Sequence, residues 1–511
     1  MNTFKRKALF TAVVAGLGVA GSAEAVFIAP NGTGQALLFP YYTVQNSGTN
    51  SWNTYISVVN TTDLAKAVKV RILEGRTSAE VLDFNLFLSA NDVWTAAIVP
   101  VDATNDSGGK LITADRSCTA PAIDITGSTS TFRNYQYSAQ AAGLGRGLDR
   151  TREGYIEMIE MATFAPGTDT YIAVTHDGSG VPDDCSFVQV ANQALINADA
   201  DPQTGGLTGT GTLINVNLGQ DVGYKPDALD AFSELGVVTG PGLTTPSLEE
   251  VDPPSSVIFN TGFDPVTGTA PVTVYRNDWL GGSHVSAGAQ ALASVFQHQS
   301  IINEYVLDTA VAGLTDWVVT QPIKSAFVDA VTASPPYTNK LTASGACETI
   351  EFQYFNREER GATASGIDFS PPPPAGNPSS ICWESTVISI RNGAAHMPAP
   401  SSTVSGVLGS RNSTSIQVTP TFQNGWARMT FTGASAVGVG LVNDVTSDGA
   451  VFDTNLPTAP FGPAAASFFG LPVTGFMIRT FGNSTLTCGT ASCQGSYSAL
   501  FNHAYVNLIA P

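Results

Sequence analysis

The segment Ala67-Val-Lys-Val-Arg-Ile72 alternates apolar and charged side chains with a period of two, and runs of this kind recur along most of the chain. A period of two puts successive side chains on opposite faces of a strand. The pattern predicts Val68, Val70 and Ile72 toward a core, with Lys69 and Arg71 toward solvent. Similar runs fall at 54–59, 81–88, 92–99, 155–164, 170–175, 315–320, 349–355, 385–391, 415–422, 426–432 and 499–509. They are rich in Val, Ile, Thr and aromatic residues, which suit a pleated, half-buried surface. Clusters of Gly, Asn, Asp, Ser and Pro separate them. Many short strands without regular intervening helices predict a mainly β chain of antiparallel β-sandwich (immunoglobulin-like) domains with long loops and one or two short helices.

Two segments carry a helical pattern. One is 227–235. The other is 289–307, where Leu292, Val295, Phe296, Ile302 and Val306 approximate one apolar stripe that Gln299 interrupts. Such a helix packs on a sheet face or covers an edge. The length of 511 residues suits two domains. The segment 240–254 carries Pro241, Pro246, Pro253 and Pro254 and reads as the boundary between them. This gives an N-terminal sandwich at 26–245 and a C-terminal β-rich domain at 246–511, with its helix near 289–307. The segment 197–213 reads as a polar, Gly-rich loop. Pro371 to Pro374 reads as a stiff exposed loop of polyproline type.

Lys5, Arg6 and Lys7 precede an apolar run from Ala8 to Ala20, and Ala23-Glu24-Ala25 supplies a small-x-small cleavage site. Residues 1–25 therefore read as a secretory signal peptide, with the mature start at Val26. The expected location is exported, at the cell surface or outside the cell, with the periplasm as alternative. No cysteine sits at the cleavage point, which argues against a lipid-modified terminus. The formal net charge is −19, so phosphate polyanions are repelled and nucleic acid is not an expected partner. An anionic membrane surface is disfavoured for the same reason. No later apolar run reaches the ~18 residues of a membrane-spanning helix.

The chain has six cysteines: Cys118, Cys185, Cys347, Cys382, Cys488 and Cys493. In an exported chain an even count reads as disulfides. They fall into three neighbourhoods, which favours sequential pairing. Cys488 and Cys493 enclose Gly-Thr-Ala-Ser and would close a small loop at a hairpin tip.

Catalytic constellations fare poorly. Asn105-Asp106-Ser107-Gly108-Gly109 echoes the serine-protease Gly-Asp-Ser-Gly-Gly sequence, but no histidine precedes Ser107, because the first is His176. That protease order requires His before Asp before Ser. His176, His284, His298, His396 and His503 show no metal-binding spacing. His176-Asp177 with Asp183-Asp184 is the densest His/carboxylate group. Glu157 and Glu160 lie three apart on a predicted strand and so face opposite ways, which rules out a glycosidase pair made of these two alone. One of them reads as buried against Arg152 or Arg71, and Arg71 and Glu74 as a pair near a strand end. Calcium is the more credible ion. Asn197, Asp199 and Asp201 have the spacing of a calcium loop, although Pro202 stands where that loop has glycine. Asn443, Asp444, Asp448 and Asp453 form another acidic turn region. No other cofactor is expected.

Several blocks carry a resemblance: Gly34-Gln-Ala-Leu-Leu-Phe-Pro-Tyr-Tyr42, Ser57-Val-Val-Asn-Thr-Thr62, Ala67-Val-Lys-Val-Arg-Ile-Leu-Glu-Gly75, Val81-Leu-Asp-Phe-Asn-Leu-Phe-Leu-Ser89 and Asp92-Val-Trp94. Asn303-Glu-Tyr305, Asp316-Trp-Val-Val-Thr320 and Gly470-Leu-Pro-Val-Thr-Gly-Phe476 continue it. Together they resemble a family of uncharacterised secreted or cell-surface β-rich proteins of Gram-negative bacteria. The resemblance implies location and a β-rich build, and it transfers no catalytic residue. Trp94 and Trp317 read as core aromatics.

The expectation is thus an exported, non-catalytic structural or adhesive protein. Its expected partners are cell-surface components or further copies of itself, reached through exposed strand edges. A carbohydrate-binding or glycan-processing protein is the first alternative, and requires Trp279, Trp383 or Tyr354 to line a cleft. An outer-membrane β-barrel is the second.

Overall fold

The computed structural model describes residues 25–47, 50–102, 107–139, 143–261, 272–363, 379–392, 404–431, 436–437, 467–488 and 491–510. The expected signal peptide, the Pro371–Pro374 run, Asn105, Asp106 and the acidic turn region 443–453 lie outside the described residues.

The strands of the first half that matter below are β1 (Ala36–Thr43), β2 (Asn50–Asn60), β3 (Ala65–Glu74), β4 (Glu80–Leu88), β5 (Val93–Pro100), β6 (Gly109–Ile112), β7 (Glu153–Phe164), β8 (Leu207–Asn215), β9 (Gln220–Tyr224) and β10 (Asp227–Asp230). One sheet runs β10-β1-β7-β3-β4, flanked by the short strands Phe27–Ile28 and Thr119–Ala120, and the other runs β9-β8-β2-β5-β6. The second half adds β11 (Ser300–Val306), β12 (Leu314–Thr320), β13 (Glu348–Asn356), β14 (Ser385–Arg391), β15 (Ser413–Gln417), β16 (Asn424–Phe431), β17 (Thr474–Cys488) and β18 (Ala491–Asn502). Here β13-β16-β11 forms the middle of one sheet and β15-β14-β12-β17-β18 forms another. The pairings are antiparallel apart from β14 with β15.

The protein is therefore mainly β with antiparallel, sandwich-like sheets, as the alternation predicts. The four main sheets have eight, six, six and five strands, wider than the four- and three-stranded sheets of a seven-stranded immunoglobulin domain. Among the described residues the sheet paths end in edge strands. Among the described residues no helix is long and apolar enough to cross a membrane.

The apolar cores cross the proposed boundary at 245–246. One cluster joins Leu38, Ile159 and Leu229 to Trp279, Leu292 and Trp317, and a second joins Phe39, Trp52 and Trp94 to Val318, Val387 and Phe476. Trp317 and Val318 are neighbours on β12, so they point to opposite faces and enter different clusters. The boundary segment 240–254 is itself packed. Leu248 and Val251 are buried, Gly242 N donates to Asp83 Oδ2 and Asn85 Nδ2 to Thr239 O.

That packing corrects the reading of β3. All ten of its residues are buried, Lys69 and Arg71 included. The sheet is covered on both faces, and segment 240–254 lies over the face expected to meet water.

Three local readings also change. Residues 170–174 are helical, within α1 (Asp169–Val174), where Thr168 accepts from Tyr171 N as the N-cap and Thr175 is the C-cap. The short cap-and-turn signal outweighs the β-branched composition. Residues 227–230 are strand β10, because the segment pairs with β1 on one side and with Phe27–Ile28 on the other. The segment 197–213 holds the end of α2 (Gln193–Asp199) and most of β8. The longer helix is real but shorter than its stripe suggests: α3 (Ala287–Phe296) starts on the Ser286 cap and ends ahead of β11. The 499–509 run breaks at His503 and Asn507.

Two disulfides form, Cys118–Cys185 and Cys347–Cys382, with sequence separations of 67 and 35. Both match sequential pairing, and each closes a loop whose entropy is worth about 4 kcal/mol in the chain-entropy picture. Such bonds persist in oxidising compartments. The backbone around the other two cysteines is a hairpin, with Cys488 opposite Ala491; their side chains lie outside the description.

Candidate binding surfaces

The carboxylates and cations that looked most like chemistry are tied to one another inside the sheets. Lys66 Nζ meets Glu160 Oε1 at 2.6 Å with both side chains fully buried. Glu160 also accepts from Thr204 N and Gly205 N. Arg71 bridges Glu157 at 2.6 Å and Glu80 at 2.8 Å, and Lys69 meets Asp83 at 2.5 Å. Glu74 pairs with Arg150 rather than Arg71, at 2.5 Å. The burial of Glu157 against Arg71 is the expected one. Desolvation outweighs the Arg71 charge and holds the Glu157 carboxyl at about 7. A buried pair of this kind costs about as much to desolvate as its attraction returns. The Glu160 and Glu74 carboxylates also hold turns, Glu160 accepting from Thr204 N and Gly205 N and Glu74 from Arg76 N and Thr77 N.

Lys324 is buried and pushed down by desolvation, against the pull of Glu384 and Glu348. Its ammonium donates to the carbonyls of Ala346 and Cys382.

The calcium candidates go separate ways. Asn197 Oδ1 accepts from Val238 N at 2.8 Å. Asp199 Oδ2 accepts from Thr170 N and Thr170 Oγ1, both at 2.8 Å, and so caps the neighbouring helix. Asp201 is exposed on a two-residue strand paired with the end of β7. Among the described residues no group of three or more His, Cys, Asp or Glu gathers where it could hold a metal. His176 Nδ1 contacts Ser89 Oγ at 3.0 Å, and Asp177 and Asp184 close local turns onto Ser179 and Ser186.

Two histidines are buried and neutral. His503 Nε2 donates to Val318 O at 3.0 Å, and its Nδ1 accepts from Asn303 Nδ2 at 3.2 Å. His298 stacks on Tyr505 at 4.1 Å between centroids and contacts Asn507 at 2.6 Å. Desolvation lowers both from 6.5 to about 4. A depressed histidine contributes stability that is complete above pH 6.5 and is lost as pH falls toward 4, about 3 kcal/mol for each ring. Glu157, raised from 4.5 to about 7, and Asp227, raised from 3.8 to about 6, act in the opposite sense, losing their contribution as pH rises. Glu384, raised to about 8, and Glu80, Glu160, Asp230, Glu249 and Glu250, which burial also raises, add to that opposing sense between pH 4 and 7. In His503→Gln the acid-side loss should shrink, so that denaturation midpoints measured across this window fall less on acidification than in the wild type.

The outward face of the second half carries a different kind of feature. Register places Phe355, Trp426 and Glu304 side by side on β13, β16 and β11. Phe355 and Trp426 stack with centroids 4.4 Å apart and planes 14° from parallel. Glu304 meets Arg479 of the adjoining sheet at 2.8 Å, and the Arg479 guanidinium lies 4.8 Å from the Phe501 ring. Trp426, Phe501 and nearby Tyr497 are exposed, Tyr497 by 55%. The row crosses both sheets. The exposed rings fall into two groups, Trp426 with half-buried Phe355 on one sheet and Tyr497 with Phe501 on the other, on either side of the Glu304–Arg479 pair. The alternation of the strands gave the exposure of Trp426 no signal, because an aromatic in a β run reads as core.

The three rings singled out for a glycan cleft do not share one. Tyr354 is buried against Phe422, Trp383 lies under Arg76, and Trp279 lines a separate cavity. That cavity measures about 290 Å³ and is bordered by the hairpin of Ser255–Thr261 with Val272–Asp278, by α3 and by the 327–335 segment.

Comparison with protein-family models, with curated proteins and with solved structures found no match.

Proposed function

We propose that this is an exported, non-catalytic protein of the cell surface with a structural or adhesive role, akin to the secreted Gram-negative proteins it resembles, and that its partner is a further copy of the same chain. The observation that carries the reading is the row Phe355–Trp426–Glu304–Arg479–Phe501 on the outward face of the second half. It offers exposed aromatic rings and both signs of charge, and two copies paired about a two-fold axis between Glu304 and Arg479 would set unlike charges against each other. The ionic groups of the first half support the reading from the other side, because they cross-link strands. Disulfides and interlocked cores suit a chain that works outside the cell.

Cell fractionation with negative-stain electron microscopy of the purified protein tests the reading. Surface location, with filaments, sheets or discrete oligomers that the W426A/F501A double variant loses at an unchanged thermal midpoint, is the expected result. A dispersed monomer in the periplasm or medium, unaffected by the substitutions, would overturn it.

A further inference from the structure

We infer that the cavity beneath Trp279 is a binding site for a single neutral sugar unit. Its walls are the Trp279 ring with Val285, Ala293, Phe327 and Pro335, and its polar lining comes from Ser283, His284, Gln290, Gln297 and Ser334. Among the described residues the lining holds no Asp, Glu, Lys or Arg, which selects against a charged ligand.

The polar groups specify what the ligand must offer. Gln297 is 5% exposed, and its amide nitrogen donates to Phe468 O and Gly470 O, each at 3.1 Å. Its Oε1 has no partner among the described residues but is closed off from open space, so the acceptors a ligand meets are the exposed Ser283 hydroxyl and the half-buried Ser334 hydroxyl. Gln290 is arranged the other way. Its Oε1 accepts from Gly281 N at 3.1 Å, which leaves its amide N–H groups as donors. The ligand must therefore both donate and accept over a short distance while resting one face on an aromatic wall. A sugar ring does this: its hydroxyls are donors and acceptors, and its polarised C–H face is drawn to the electron-rich ring surface. Trp279 is held by Nε1 donating to Ser256 Oγ at 2.9 Å, so its ring is set in advance. At about 290 Å³ the cavity stands at the small end of ligand pockets, which begin near about 300 Å³. That size takes one ring, either a free monosaccharide or the terminal unit of a glycan.

The site goes beyond the surface role proposed above, and its test does not depend on assembly. The full chain is titrated with D-glucose, D-galactose, D-mannose and N-acetylglucosamine by calorimetry and tryptophan fluorescence, and is applied to an array of neutral glycans. Saturable binding to one of the free sugars assigns a monosaccharide site; binding on the array alone assigns a glycan end. Either is expected to weaken at least ~tenfold in Ser334→Leu, which fills the mouth, and in Ala293→Met, which fills the floor, while the thermal midpoint of Ser334→Leu stays that of the wild type. No saturable binding to any probe, or binding untouched by Ser334→Leu, would overturn the inference.

Discussion

Replacing Glu153 by alanine is expected to lower the unfolding free energy by about 5 kcal/mol or more, a large part of the whole stability of a typical domain. Glu153 is 2% exposed and sits at the start of β7. Its Oε2 accepts from Tyr41 Oη at 2.7 Å, and its Oε1 accepts from Gln45 Nε2 at 3.1 Å, Arg411 N at 3.0 Å and Asn412 N at 3.1 Å. Alanine takes an acceptor from all four donors; Asn412 N keeps Ser410 Oγ at 3.1 Å, and the other three are left short at about 1–3 kcal/mol each. Two of those donors belong to the second half, so the loss should be felt on both sides of residue 246. Denaturant unfolding followed by tryptophan fluorescence and by far-ultraviolet circular dichroism should shift together in E153A. A loss below about 1 kcal/mol would mean that water reaches the carboxylate.

The second large effect concerns Lys66 and Glu160. Lys66→Met alone is expected to cost about 3–5 kcal/mol, because it strands a buried carboxylate. Glu160→Gln alone strands the ammonium and should cost a similar amount. The double variant removes both charges, and the amide that replaces the Glu160 carboxylate keeps an oxygen for Thr204 N or Gly205 N; it should fall within about 2 kcal/mol of the wild type. The cycle would then show a coupling energy well above the ~1 kcal/mol of exposed pairs. Single variants that each cost less than ~1 kcal/mol would show that the pair is solvated.

These two sites also mark where the sequence was and was not legible. Alternation located β3, β4 and β7, and Trp94 and Trp317 fall in the cores as their setting suggested. Alternation speaks only to which residues share a face. It does not say what covers the second face, and so it assigns Lys69 and Arg71 to solvent although segment 240–254 lies over them. The Glu157–Arg71 pair was accessible because two unlike charges in central strands invite pairing. Lys66–Glu160 was not, because a register shift between Glu160 and Ala162, which alternation does not reveal, sets Lys66 against this end of β7. Gln297 likewise gave no signal: an amide at a helix end looks like a surface residue until the 468–470 carbonyls arrive to hold it. The cysteines were legible because their neighbourhoods limited the sensible pairings.

The segment 404–412 is gripped from two directions. Asp316 accepts from Gly406, Val407 and Leu408 N, Glu153 accepts from Arg411 and Asn412 N, and Trp52 Nε1 reaches Val407 O. A chain that folds as it emerges, N-terminus first, therefore holds its first half with Glu153 short of two donors and Trp52 short of its acceptor until more than 250 further residues have appeared. The early strands wait on a late clasp. A truncation ending before residue 404 should accumulate as a loosened, aggregation-prone intermediate rather than as a smaller native protein, which makes the clasp a checkpoint on completeness of synthesis.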